Sequence, residues 1–453
     1  MKAVAIVRAM HPPPPASSAA APPAPVTLRE ALPTWARIGV LGFGGPAGQI
    51  AVLHRIVVEE KGWVDEPRFL HALNFCMLLP GPEAQQLATY VGWMMHGIRG
   101  GLAAGILFIL PGFVILSTLS ALYAAFQETA VVAALFFGLK AAIIAVVAEA
   151  LVRIGRRALN GRGSVAIAAA AFVALSLLAI PFPIVVLGAG VAGWMLGRDA
   201  AAETIVTDGP AAGARVGWRR TARVAAICFV LWWAPVALLA LLFGTGSVWV
   251  TEGVFFGHAA TVTFGGAYAL LAYVAQHAVN HYGWLGPGEM LDGLGLAETT
   301  PGPLILVVQF VAFLGAWRDP GPLPPLLAGL LGATITAWVT FAPSFLFIFA
   351  GAPYVERLRG NRGLSAALAG ITAAVVGVIL NLAIWFSLHV LFARVDEAGA
   401  GPLHFLVPDW RTLGVASLLI ALGAAFALFR LKWGMIPTLA ASVAAGVAIQ
   451  LMG

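Results

Sequence analysis

Pro80-Gly81-Pro82 and Pro301-Gly302-Pro303 each interrupt an apolar stretch of the chain. Proline lacks the N–H that a helix needs, and glycine tolerates the turn that follows. A helix restarting after such a triplet begins with free N–H groups and the positive end of its dipole. That end binds an anion without a full charge. Phe43-Gly44-Gly45 and Phe264-Gly265-Gly266 break two further apolar stretches, where glycine lets the backbone approach a ligand closely. Gln85 and Gln86 follow the first triplet, and Thr299 and Thr300 precede the second. Arg37 lies six residues before Phe43, and His258 six residues before Phe264. Together these residues make a candidate anion-binding site. Glu83, Glu298, Glu149 and Lys140 are ionisable groups in or beside the apolar segments, and so candidates for carrying a coupling proton. Bland alternatives stand beside each reading: an interfacial Arg that snorkels, a packed His, a capping Glu, and prolines that only kink a helix.

The spacing argues against accident. Phe-Gly-Gly, Gly-Trp and Pro-Gly-Pro recur in the same order at a single offset of 221 (43 and 264, 62 and 283, 80 and 301). The chain is therefore an internal duplication. Beyond the triplets the offset becomes 232, as Pro111 with Pro343 and Gly138 with Gly370 show. An insertion around Asp319–Pro325 accounts for the change.

The elements that must hold these motifs follow from composition. The chain has 453 residues, of which only 10% are charged and 60% are hydrophobic. A soluble chain carries about 25% charged residues. Runs such as Leu102–Leu122 and Val131–Val152 have the roughly 20 residues that cross a bilayer as a helix. The expectation is an all-α polytopic membrane protein. Residues 1–30 read as a disordered tail, 31–197 as a first repeat, 198–248 as a linker plus one connecting helix, and 249–453 as a second repeat. Residues 55–68 read as a mixed-charge loop. The net charge of +6 speaks of loop orientation rather than nucleic acid. Loops 153–162, 198–223 and 352–363 are rich in arginine, whereas 124–130, 244–252 and 275–290 are poor in Lys and Arg. With the basic loops and the N-terminal tail in the cytoplasm, equivalent loops of the two copies fall on opposite sides. The repeats are thus inverted, and such repeats with broken helices mark secondary transporters, whose site lies near the midplane. The broken segments are either re-entrant pairs of half-helices or interrupted full spans.

No nucleotide-binding loop, zinc-protease helix or nucleophile elbow is present, so no enzyme, cofactor or metal is expected. Phe43-Gly44-Gly45-Pro46-Ala47, Gly62-Trp63 and Leu79-Pro80-Gly81-Pro82-Glu83-Ala84-Gln85-Gln86-Leu87-Ala88 resemble the chromate ion transporter family. The second copy keeps the three cores but lacks the Glu-Ala-Gln-Gln extension. The resemblance covers nearly all of residues 31–452 and is to the long, two-domain form. It implies an antiporter in the bacterial inner membrane that exports chromate on the proton gradient and confers chromate resistance, with sulfate as an isosteric competitor. Uptake of sulfate or another oxyanion, a passive anion channel, and a membrane-embedded enzyme or scaffold are the alternatives. A homodimer is compatible with the sequence and not required by it.

Overall fold

The computed structural model describes residues 26–196, 218–264, 267–351, 362–400 and 403–452. Most of the expected tail and linker, loop 352–361, Gly265 and Gly266 lie outside them. The first half opens with α1 (Leu28–Leu41), held at its start by a capping box between Thr27 and Glu30. After the Phe-Gly-Gly break come α2 (Gly45–His54), a π-turn over Arg55–Glu60, and α3 (Glu66–Cys76). The first triplet leads into α4 (Glu83–Phe126), which turns sharply at His96-Gly97. Then follow α5 (Ala130–Ala158) and a hairpin of α6 (Arg162–Ser176) and α7 (Phe182–Leu196).

α8 (Trp218–Phe243) connects the halves. The second half repeats the order. It runs through α9 (Val248–Val262), α10 (Ala267–Gln276), a π-turn over His277–His281, and α11 (Pro287–Thr299). After the second triplet a 3-10 turn, Leu304–Leu306, starts α12 (Val307–Arg318). α13 (Pro325–Gly351), α14 (Arg362–Leu391) and a final hairpin of α15 (Val415–Phe429) and α16 (Met435–Met452) complete it. Among the described residues six helices, α4, α5, α8, α13, α14 and α16, are long and apolar enough to cross a membrane. The chain is an all-α polytopic membrane protein in its body.

The stretch read as a mixed-charge loop is partly helical, and a second connecting segment is ordered as strands. Arg55–Glu60 is wound as a π-turn continuous with α2, and its counterpart continues α10. Gly62 and Gly283 close these turns with φ of 60° and 63°. Trp63 N–H then donates to Val57 O, and Trp284 N–H to Ala278 O, both at 2.9 Å. This explains the Gly-Trp motif, since only glycine takes that backbone region freely. The segment 393–411 holds an antiparallel β-hairpin, β1 (Val395–Ala400) and β2 (Leu403–Pro408). Its His404 N–H donates to Leu177 O, in the turn between α6 and α7, at 2.9 Å. Where the first half has only the His96-Gly97 turn, the second has a loop from Asp319 to Pro324. The β-hairpin is a second insertion and moves the offset to 253, as Gly193 and Gly446 show.

The terminal hairpins are exchanged between halves. α6 and α7 pack on α14, and α15 and α16 pack on α5. Glycine sets the closest approaches. A Cβ on Gly138 would lie 2.1 Å from Ser442 O, and one on Gly370 would lie 2.4 Å from Ala189 O. Gly138 and Gly370 are equivalent positions, as are Ala189 and Ser442, so the two crossings are one contact made twice. Small residues at membrane helix crossings let backbones touch, where dispersion rather than a hydrophobic drive holds helices together.

Candidate functional site

Each Pro-Gly-Pro turn closes on the broken helix of the other half. Gly81 and Gly302 have φ of 113° and 102°, a region glycine occupies without strain. Gly81 N–H donates to Thr263 O at 2.8 Å, and Gly302 N–H donates to Gly42 O at 2.9 Å. Gly42 and Thr263 cap the C-terminal ends of α1 and α9 and are themselves 221 positions apart. Position i of the first copy thus meets position j of the second, and position i of the second meets position j of the first. That reciprocity is the signature of a two-fold contact. The bonds satisfy carbonyls that a broken helix leaves open and lipid cannot serve.

The surroundings are not symmetric. Gln49 is buried and its side-chain amide donates to Gly302 O at 2.5 Å and Gly42 O at 3.3 Å. Leu270 stands at the equivalent place. A Cβ on Gly112, in α4, would lie 2.3 Å from Pro301 O. Its equivalent is Ser344, in α13, whose Oγ lies 3.4 Å from where a Gly81 Cβ would stand.

The structure gathers most of the sequence-selected residues here. Gly81, Pro82, Gln85, Gln86, Thr300, Pro301, Gly302 and Pro303 are buried, while Pro80, Phe43, Gly45, Phe264 and Thr299 are half-buried. Gln86 donates to Pro80 O at 2.7 Å, and Gln85 to Thr89 Oγ1 at 3.0 Å. The Thr299 and Thr300 hydroxyls bond to their own helix, at Gly295 O, Leu296 O and Ala297 O. Gly44 is exposed and, with Gly45, has positive φ of 85° and 66° at the start of α2. Neither α2 nor α4 has a side-chain cap at its N-terminus.

Arg37 and His258 stand apart from this centre. Arg37 is about half exposed and pairs with Glu60 at 2.8 Å, which Arg55 also approaches at 3.5 Å. His258 is exposed and faces Trp233 and a cavity of about 780 Å³ shared with His277 and His281. Position 281 is the equivalent of Glu60, so one rim carries an Arg–Glu pair and the other histidines.

Of the four coupling candidates, Glu298 is buried and accepts the Tyr268 hydroxyl at 2.5 Å. Glu83 is the first residue of α4 and half-buried. Lys140 lies in the middle of α5. It pairs with buried Asp292 of α11 at 3.1 Å, and Asp292 also accepts the Tyr123 hydroxyl at 2.7 Å. Glu149 pairs with Arg153 at 3.5 Å, one helical turn on in α5. Asp292 is nearly fully buried, which is why it takes the cation of a neighbouring helix. Lys140→Met is expected to cost about 3–5 kcal/mol by leaving that carboxylate unpaired. The expected reading is a lower melting temperature in detergent, largely restored in Lys140→Met with Asp292→Asn.

Sequence reasoning passed over Gln49, Asp292, Glu252 and Ser344. Two of them carried a visible signal, since Glu252 and Asp292 are acids within stretches poor in charge.

A multi-pass helical protein whose two copies cross-brace each other's broken helices has the build of a membrane transporter. The chain belongs to the chromate transporter family, whose sequence profile matches residues 30–194 and 250–448. It is 34% identical over 415 residues to the chromate transport protein of Pseudomonas aeruginosa, covering 89% of this chain and 92% of that one. The chromate transport protein of Cupriavidus metallidurans is 28% identical over 376 residues, covering 79% and 82%. An uncharacterized transporter of Methanocaldococcus jannaschii is 25% identical over 360 residues, covering 79% and 84%. No solved structure gives a significant match.

Proposed function

We propose that this protein is a secondary active transporter that exports chromate across the bacterial inner membrane, driven by the proton gradient, and so confers chromate resistance. The reading rests on the reciprocal hydrogen bonds that tie each Pro-Gly-Pro turn to the opposite broken helix. Loop charge gives the two copies opposite orientations, which makes the two-fold axis lie in the membrane plane. The uncapped starts of α2 and α4 then offer N–H groups to a tetrahedral dianion at the crossing. Glu83 and Glu298 are the carboxyls nearest the turns in sequence and are the proposed proton carriers. Glu149 and Lys140, each in an ion pair, take the lesser part in coupling. Arg37 and His258 serve the two rims, where a charge or a protonated imidazole gathers anions before they reach the centre. Sulfate competes because its size and charge match.

Expression in a chromate-sensitive host should lower cytoplasmic chromate. Unchanged accumulation at full expression counts against export. Counterflow in proteoliposomes with chromate and sulfate in turn separates export of one from uptake of the other, and flux that ignores an imposed pH gradient points to a channel. Arg37→Ala and His258→Ala should each raise the chromate concentration for half-maximal flux about three- to tenfold at low salt, since a rim charge acts through steering. Normal flux in both variants would remove those two roles.

A further inference from the structure

Within α13, Thr336, Thr340 and Ser344 recur at intervals of one helical turn and so share a face. All three are buried, at 0–2% exposure. None of their hydroxyls meets a protein partner. Thr334, on another face of α13, and hydroxyls of other long helices bond back to the carbonyl four residues earlier. Thr334 does so to Leu330 O at 2.7 Å, Thr118 to Val114 O at 2.9 Å, and Thr372 to Leu368 O at 2.8 Å. That back-bond is the ordinary resting place of a hydroxyl in an apolar helix. The face formed by Thr336, Thr340 and Ser344 forgoes it three times.

The same face continues one turn earlier to Gly332. A Cβ there would lie 2.8 Å from a carboxyl oxygen of Glu252, and a Cβ on Gly315 of α12 would lie 2.8 Å from the other. Glu252 is fully buried in the second turn of α9, and neither oxygen has a hydrogen-bond partner. The groups pressing on it are apolar or small: Gly332, Gly315, and Trp284 beside Gly315. Asp319, at the end of α12, is the charged group whose field reaches it. At the other end of the face, Ser344 lies against Gly81, and there Gln86 and Gln85 each keep a buried amide oxygen without a partner.

We propose that Glu252 takes up the coupling proton from outside and that Thr336, Thr340 and Ser344 relay it to the first Pro-Gly-Pro turn, beside which Glu83 stands as the carrier already named. The idea rests on the proton-coupled reading above and names its path. A buried hydroxyl or acid without a hydrogen bond costs roughly 1–3 kcal/mol in mutational terms. A row of them is retained where water joins them in the working protein. Successive side chains on one helix face stand about 5–6 Å apart, a gap that one water bridges. Hydroxyls suit a relay because each donates and accepts at once. The row rises about 12 Å along α13, from Thr336 to Ser344. Glu252 follows loop 244–247, which loop charge puts outside, so the acid lies at the end from which a driving proton arrives. The first half has Ala104, Phe108 and Gly112 at the equivalent positions, so the path runs on one side only. No bond other than O–H is made or broken: the carboxylate gains a proton from outside water and loses it to the file.

The test uses the full chain in proteoliposomes, with chromate flux and internal pH followed together. Glu252→Gln should keep chromate counterflow within about twofold of the parent and lose at least 90% of the proton movement that accompanies net flux. Thr340→Val, which removes the hydroxyl at constant volume, should slow proton movement about tenfold, and Thr340→Ser should restore it. Infrared difference spectra on chromate addition should show a protonated carboxyl band in the parent that is missing in Glu252→Gln. Parent-like proton flux in both Glu252→Gln and Thr340→Val overturns the relay. A parent protein that moves chromate without protons overturns the relay and the coupling together, and one that moves no chromate overturns the transport reading itself. Should Glu252→Gln fail to fold, Thr340→Val and Thr336→Val decide the question alone.

Discussion

Gly112→Ala is expected to lower chromate flux in proteoliposomes at least about tenfold with little loss of expression. The added Cβ would stand 2.3 Å from Pro301 O, and the neighbour is backbone, so no rotamer change relieves it. Overpacking of this kind costs about 1–3 kcal/mol even where the surroundings shift. The shift open to the molecule is movement of the second triplet away from α4. That movement would pull Gly302 N–H from Gly42 O and disturb the Gln49 amide that bridges both carbonyls. Gly188→Ala, at a site with open space around the new methyl, is the control and should transport normally. Full activity in Gly112→Ala would mean that the crossing tolerates displacement and does not hold substrate.

The second large effect belongs to the helix exchange. Gly370→Leu and Gly138→Leu should each broaden or abolish the monodisperse peak in detergent and lower the melting temperature steeply. Each puts a side chain where a carbonyl oxygen of the opposite half already stands, at 2.4 and 2.1 Å from the Cβ. Because the two contacts are equivalent, the two variants should fail to a similar degree. A cysteine placed in α7 should become reactive in Gly370→Leu but not in Gly138→Leu, since only the former forces α7 off α14. Equal labelling in both would show general unfolding instead.

Much of this was legible from residue type and spacing. Gly81 and Gly302 read as turns because Pro-Gly-Pro permits little else, and both take positive φ. The first insertion was visible as a change of offset, and its loop is where the prolines said. Other features were not legible, for definite reasons. A π-turn and a loop share the same composition, and only the carbonyls that Arg55–Glu60 bonds tell them apart. Lys140 and Asp292 lie on different helices, and no spacing in one sequence pairs them. Thr336, Thr340 and Ser344 look like any helical hydroxyls; what sets them apart is a bond they do not make. In segment 393–411 Arg394 and Arg411 stand against Asp396, Glu397 and Asp409, and nothing in that composition marks a hairpin whose second strand bonds to a distant turn.

The exchange of terminal hairpins constrains synthesis. α5 emerges early, yet the helices that cover one flank of it, α15 and α16, are the last made. At about 5–20 residues per second the wait is tens of seconds. Through that time the unfinished half holds a glycine-notched flank open to lipid or to an insertion chaperone, and premature pairing there would trap the nascent protein. Cutting the gene between α7 and α8 should therefore yield two pieces that are each unstable alone and that regain function when made in the same cell.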